Sequence, residues 1–143
     1  MPRKIYVASS WRNEEQPSVV RDLRFLGHEV YDFRNPRKGL CGFHWDEIDP
    51  SWETWKSSQF RDSLHHPIAT VNFVMDFDAM KWADTFLLVM PCGRSAHLEL
   101  GWAIGQGKKT AILLSNGEPE LMYKLADELL CDQAELTKWA KRI

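Results

Sequence analysis

The 143-residue chain lacks any apolar run near the roughly 20 residues a membrane span needs, which excludes a helical membrane protein. It also lacks a basic block, and with a net charge of −2 nothing supports a sequence-tolerant grip on a nucleic-acid polymer. Cysteine is scarce. Cys41, Cys92 and Cys131 are odd in number, widely spaced and form no CxxC pair, which excludes a disulfide framework and a zinc knuckle. No Gly-rich loop of the Walker or dinucleotide type is present. His65-His66 has no ligand-spaced partner and reads as a helix end. No signal-peptide pattern opens the chain, because Met1-Pro-Arg-Lys leads straight into a strand pattern. A cytoplasmic protein is the expectation.

What is there is an ordinary globular balance, 44% hydrophobic and 27% charged, long enough for a single domain over residues 1–143. Strand and helix patterns alternate. Lys4–Ser9, Glu29–Phe33, Asp84–Met90 and Lys109–Leu114 read as strands, the third apolar throughout and therefore central. Asn13–Gly27, Ser51–Leu64, Pro67–Ala83, Ser95–Gly107, Glu118–Leu130 and Gln133–Lys141 read as helices. Arg34–Pro50 reads as a long loop, and such loops are often functional. Strands separated by helices imply parallel βαβ units, so the expected fold is an α/β doubly wound sheet of four to five strands flanked by helices.

Ligands of such sheets sit beyond the carboxyl ends of the strands. That rule selects Ala8–Asn13, the loop after Phe33, and Pro91–His97. The last runs from strand into helix, so backbone N–H groups of Arg94 to His97 point at whatever is bound and favour an anion. Arg94 and Ser95 add a fork of donors and a hydroxyl. Glu99 follows at i, i+4 from Ser95, on the same helix face. It either answers a polar ligand in the cleft or merely favours the helix dipole and pairs with Arg94. A second acidic group, Asp76, Asp78 and Asp84, lies ahead of the central strand. Asp78 suits a solvated helix face, whereas an Asp brought to the same cleft as Glu99 would complete the two-carboxylate chemistry of retaining glycosyl transfer. His97 projects about 160° from Glu99 around the helix and is expected to face outward or toward a neighbouring subunit. Cys92, at a helix N-terminus, has no general base at readable spacing.

The segment from Asp76 to Asp84, the apolar strand, and then S-A-H-L-E-L-G-W-A-I-G-Q-G-K resemble the nucleoside 2-deoxyribosyltransferase family and its nucleoside 5′-monophosphate N-glycosidase relatives. The opening K-I-Y-V-A-S-S-W matches the family's first strand. The resemblance implies a flavodoxin-like fold, Glu99 as the nucleophile that attacks the anomeric carbon, Asp76 as the group that orients or protonates the substrate, and Tyr6 facing the pocket. It implies transfer of a deoxyribosyl group between bases, with no metal or organic cofactor. The alternatives are hydrolysis of a nucleoside 5′-monophosphate to base and sugar phosphate, and, in a different class, a nucleotide-binding sensor without turnover.

One departure separates these readings. Transferases often carry another Asp six residues before the nucleophile, where Gly93 stands here. Ser9, Ser10 and Arg12 after the first strand, with Arg94 and Ser95, suit a 5′-phosphate, or else serve as turn and cap residues. Trp11, and the His44-Trp45-Asp46-Glu47 stretch with Trp45 stacking and Asp46 bonding a base edge, are further candidates; a loop held by one buried Trp explains the latter equally well. Relatives form a homo-oligomer, a dimer or larger, that completes the site across an interface. Met122 or Tyr123 fits that role.

Overall fold

The computed structural model describes residues 1–37 and 40–143, so two positions of the expected Arg34–Pro50 loop lie outside the described residues. Its elements run β1 (Lys4–Ala8), α1 (Gln16–Phe25), β2 (Glu29–Asp32), α2 (Ser57–Ser63), α3 (Pro67–Trp82), β3 (Thr85–Val89), α4 (Arg94–Gly105), β4 (Lys109–Leu113), β5 (Glu128–Leu130) and α5 (Gln133–Arg142). The chain divides into two compact units: Met1–Asp32 with Met80–Ile143, and Phe33–Ala79.

The first unit is a five-stranded sheet, all parallel, in the order β2-β1-β3-β4-β5. This is the flavodoxin-like arrangement, in which the strand order reverses between β1 and β3. Both faces of the central strands are buried, which is why β3 reads as TFLLV without alternation. Residues paired across parallel strands share a face. Ile5, Val7, Leu87, Val89, Ala111 and Leu113 pack with Val19, Val20 and Leu23 of α1 and Leu136 and Trp139 of α5. On the other face Tyr6 stacks between Tyr31 and Phe86, with ring centroids 5.3 and 4.9 Å away. Phe86 in turn meets Trp102 of α4 at 6.3 Å, and Ala96, Leu100 and Ala103 form the buried stripe of that helix.

Local signals set the helix ends. Gly27, at φ 94°, closes α1 with hydrogen bonds from Gly27 N to Arg24 O and from His28 N to Leu23 O. Gly107, at φ 72°, does the same for α4 through Lys108 N and Ala103 O. The Lys108 ammonium then donates to the carbonyls of Met80, Lys81 and Ala83, closing the C-terminal end of α3, and lies over the rings of Phe86 and Trp102. Burial lowers the pKa of Lys108, and the Asp84 charge opposes that shift.

Two expected helices are corrected. Glu118–Leu130 is not a helix: Leu121–Leu125 forms a 3-10 turn and Glu128–Leu130 is the fifth strand. The Asp127 carboxylate accepts from Thr110 N at 2.8 Å, while Asp127 N donates to Thr110 Oγ1, and this clamp lays the segment along β4. Ser51–Leu64 divides into a 3-10 turn, Trp52–Thr54, and α2. Asp49 accepts from Ser51 N at 2.9 Å and from Trp55 Nε1 at 2.8 Å, which holds the chain out of helix between them. Those hydrogen bonds also lower the Asp49 pKa.

In the second unit Trp45 is packed by Phe43, Trp55 and Phe60 at centroid distances of 4.8, 5.7 and 5.5 Å, a half-buried aromatic cluster. Among the described residues no helix is long and apolar enough to cross a membrane.

Candidate active site

The switch point between β1 and β3 opens on two segments of the first unit, 9–13 and 90–95. Their backbone geometry is set by side chains. Ser9 Oγ donates to Val89 O at 2.9 Å. Asn13, 2% exposed, donates through Nδ2 to Val89 O at 3.3 Å and to Pro91 O at 3.1 Å. Its Oδ1 accepts from Glu15 N at 2.8 Å and Gln16 N at 2.9 Å, capping α1. The Met90–Pro91 peptide is cis. Gly93 is the N-cap of α4, and its carbonyl accepts from His97 Nδ1 at 2.7 Å.

The carbonyls of Val89, Pro91 and Gly93 are thus each taken by a side chain. The first helical hydrogen bond, His97 N to Gly93 O, comes only at 3.4 Å. The N–H groups of Arg94, Ser95 and Ala96 precede it, as the first turn of any helix leaves them, and the positive end of the α4 dipole lies there. Arg94 and Ser95 are exposed beside it. This arrangement can hold an anion or a polarised hydroxyl.

Glu99 sits further along α4, half-buried, one residue before the buried Leu100. Its charge reaches the turn. Burial first, and then the negative charge of Glu99, push the Cys92 thiol up to about 12. Cys92 is therefore a neutral thiol at ordinary pH and not an activated nucleophile. Its sulfur lies 3.5 Å from Met90 Sδ and 3.7 Å from His97 Nδ1.

His97 departs from the expectation that it faces outward or into another subunit. Since Gly93 O can only accept, Nδ1 carries a proton, and Nε2 lies 2.7 Å from Tyr123 OH, which is also 3.3 Å from Met90 Sδ. The two rings stack at 5.7 Å. Tyr123 is thereby engaged within its own chain, and burial raises its pKa, with Cys92 and Glu120 adding to the shift. Met122 beside it is 58% exposed.

The remaining expected site residues fall as follows. Tyr6 is 1% exposed, on the face of the sheet that α4 covers. The Ser9 hydroxyl proton is spent on Val89 O, and Ser10 Oγ accepts from Arg12 N at 3.1 Å, a turn role. Trp11 and Arg12 are exposed. Trp45 belongs to the half-buried aromatic cluster of the second unit, with Asp46 exposed beside it and Glu47 accepting from His44 N at 2.7 Å. Asp76 lies half-buried on the part of α3 within the second unit. Asp84 is structural: it accepts from Thr85 Oγ1 and Lys4 N at the amino edge of the sheet. Asn13 was not among the sequence candidates, because a polar residue before a helix reads as a cap and nothing local announces its second pair of bonds. An open cavity of about 490 Å³, lined by Lys108, Thr110, Leu125 and Asp127 among others, lies at the amino edge of β4, away from the switch point. Among the described residues no three His, Cys, Asp or Glu side chains converge as metal ligands.

No family model and no curated protein matches the chain. Solved structures do. A 2-deoxyribosyltransferase from Bacillus psychrosaccharolyticus is similar with a TM-score of 0.61 and 23% identity, over 97% of this chain and 90% of that one. A CMP N-glycosidase from Clostridium botulinum is similar with a TM-score of 0.51 and 18% identity, over 94% of this chain and 96% of that one. At these identities the likeness establishes the shared flavodoxin-like fold.

Proposed function

We propose that this chain is an enzyme of N-glycosidic bonds, acting on a (deoxy)nucleoside through a glycosyl-enzyme on Glu99 and passing the deoxyribosyl group to another base. The observation that carries this reading is the position of Glu99: half-buried on α4, behind a helix N-terminus that opens at the β1/β3 switch point, with its charge felt by Cys92. The fold shared with a 2-deoxyribosyltransferase and a CMP N-glycosidase supports it, as does the sequence resemblance across Asp76–Lys108.

The carboxylate of Glu99 attacks C1′ as the bond to the base breaks, through an oxocarbenium-like transition state. The departing base takes a proton, a role assigned to Asp76 from its place in the Asp76–Asp84 motif. Tyr6 orients Glu99 or the sugar. An incoming base, or water, then displaces Glu99 from C1′ and gives its proton to Asp76, which restores the free Glu99 carboxylate and the Asp76 acid. The proposal includes no metal or organic cofactor, a cytoplasmic setting, and a homo-oligomer in which Met122 completes a neighbour's site.

A second reading has its own support. Arg94 and Ser95 stand exposed at the N-terminus of α4, where a 5′-phosphate would gain charge-assisted hydrogen bonds, and this favours hydrolysis of a nucleoside 5′-monophosphate. Incubation with a panel of nucleosides and 5′-monophosphates, with and without a second free base, tests all readings by chromatography. Base exchange marks a transferase, and base plus sugar phosphate marks the hydrolase. Tight binding with no base released marks a sensor.

A further inference from the structure

We infer that Asn13 is a positioning residue of the proposed site, a clamp that sets the separation between the 9–13 segment and the Pro91–Ser95 turn. The inference rests on the N-glycosidic reading above and deepens it. Four hydrogen bonds from one buried amide span the switch point: two donated to Val89 O and Pro91 O, two accepted from Glu15 N and Gln16 N. The oxygen caps α1, and the nitrogen holds the turn that leads into α4.

Only a side chain with a donor pair and an acceptor on one short planar group can do both. Aspartate has the shape and the acceptor without the donors, and its second oxygen would repel the carbonyls of Val89 and Pro91. Ser9 and Asn13 share the carbonyl of Val89, His97 takes that of Gly93, and Asn13 takes that of Pro91, two residues before the N-cap. Loss of its nitrogen therefore frees the turn from α1 while the cap survives. A substrate held at the start of α4 would then shift over Glu99, and misplacement costs the chemical step more than binding.

The test compares wild type, Asn13→Asp and Asn13→Ala. Two readouts are taken on folded protein: amide hydrogen exchange without substrate, and kcat and KM with whichever nucleoside the wild type turns over best. For Asn13→Asp, exchange at Met90 and His97 should quicken by about tenfold or more while Ile112 and Leu113 of β4 stay unchanged. Its kcat should fall by about tenfold to a hundredfold, with KM within about threefold. Asn13→Ala should add faster exchange at Gln16. A purely structural role would lower the yield of folded protein and quicken exchange in β4 as well, with kcat per folded molecule unchanged, and that result also overturns the assignment. Unchanged exchange at the turn, or normal kcat despite faster exchange, overturns the assignment. Quickened exchange in a chain whose wild type releases no base overturns the activity instead, and leaves the clamp standing.

Discussion

The hydroxyl of Ser9 donates to the carbonyl of Val89 at 2.9 Å, joining the end of β1 to the end of β3. Its one proton is spent there, which removes Ser9 as a donor to a phosphate at the switch point and leaves Ser10, Arg12, Arg94, Ser95 and the N–H groups that open α4. Arg94→Ala should weaken turnover of 5′-monophosphates by roughly one to two orders of magnitude, from the ~1.5–3 kcal/mol of a charged hydrogen bond. The bare nucleoside should be almost untouched, and Ser9→Ala should not change the preference between them. Steady-state kinetics on both substrates decide it: equal effects of Arg94→Ala on the two remove the phosphate from this site.

Asp76 is testable through the leaving group. A proton donor matters most where the base departs poorly, so Asp76→Asn should slow natural nucleosides far more than analogues with activated leaving groups. Equal slowing of both sets assigns Asp76 a positioning role.

Cys92 makes a pH prediction. Its thiol is held near 12 against an ordinary value of 9.0. At pH 8 its thiolate fraction is then roughly a thousandfold below that of an ordinary thiol, and alkylation should reach the exposed Cys41 long before Cys92. The folded state holds this proton more tightly than the unfolded chain, so stability from this group is full below pH 9 and declines as pH rises toward 12. Cys92→Ala should flatten that alkaline loss in denaturant titrations at successive pH values. Rapid labelling of Cys92 in folded protein would contradict its placement.

Lys108 makes a stability prediction. Lys108→Met keeps the apolar stem over Phe86 and Trp102 and removes the bonds to three carbonyls. The expected loss is about 1–3 kcal/mol, measured by urea denaturation. A loss under about 0.5 kcal/mol would mean that water caps α3 equally well.

The elements that sequence displays best are those whose burial needs no distant partner to be guessed. TFLLV, short, apolar and β-branched at both ends, reads as a central strand, and Gly27 and Gly107 stop their helices through local φ values. The fifth strand was hidden because three residues, Glu128–Leu130, carry no periodicity of their own. It is a strand because Asp127 finds Thr110, a partner 17 residues away. The helix expected from Ser51 breaks for a similar reason, an indole bonding to Asp49. At the candidate site, the opening of α4 was legible from the strand-to-helix passage and the rule for parallel sheets, whereas the role proposed for Glu99 comes from the family resemblance. Asn13 and the inward turn of His97 were not, since their partners, Pro91 O and Tyr123 OH, are 78 and 26 residues away.

The central claim is that Glu99 forms the covalent bond to the sugar, and one variant addresses it. Glu99→Ala should keep the wild-type circular dichroism and thermal midpoint while base release from the best nucleoside falls by several orders of magnitude, as loss of a nucleophile demands. Intact-mass spectra of wild type mixed with that nucleoside should show a glycosyl adduct that the variant lacks. A folded Glu99→Ala protein that releases base at a rate near wild type would contradict the account.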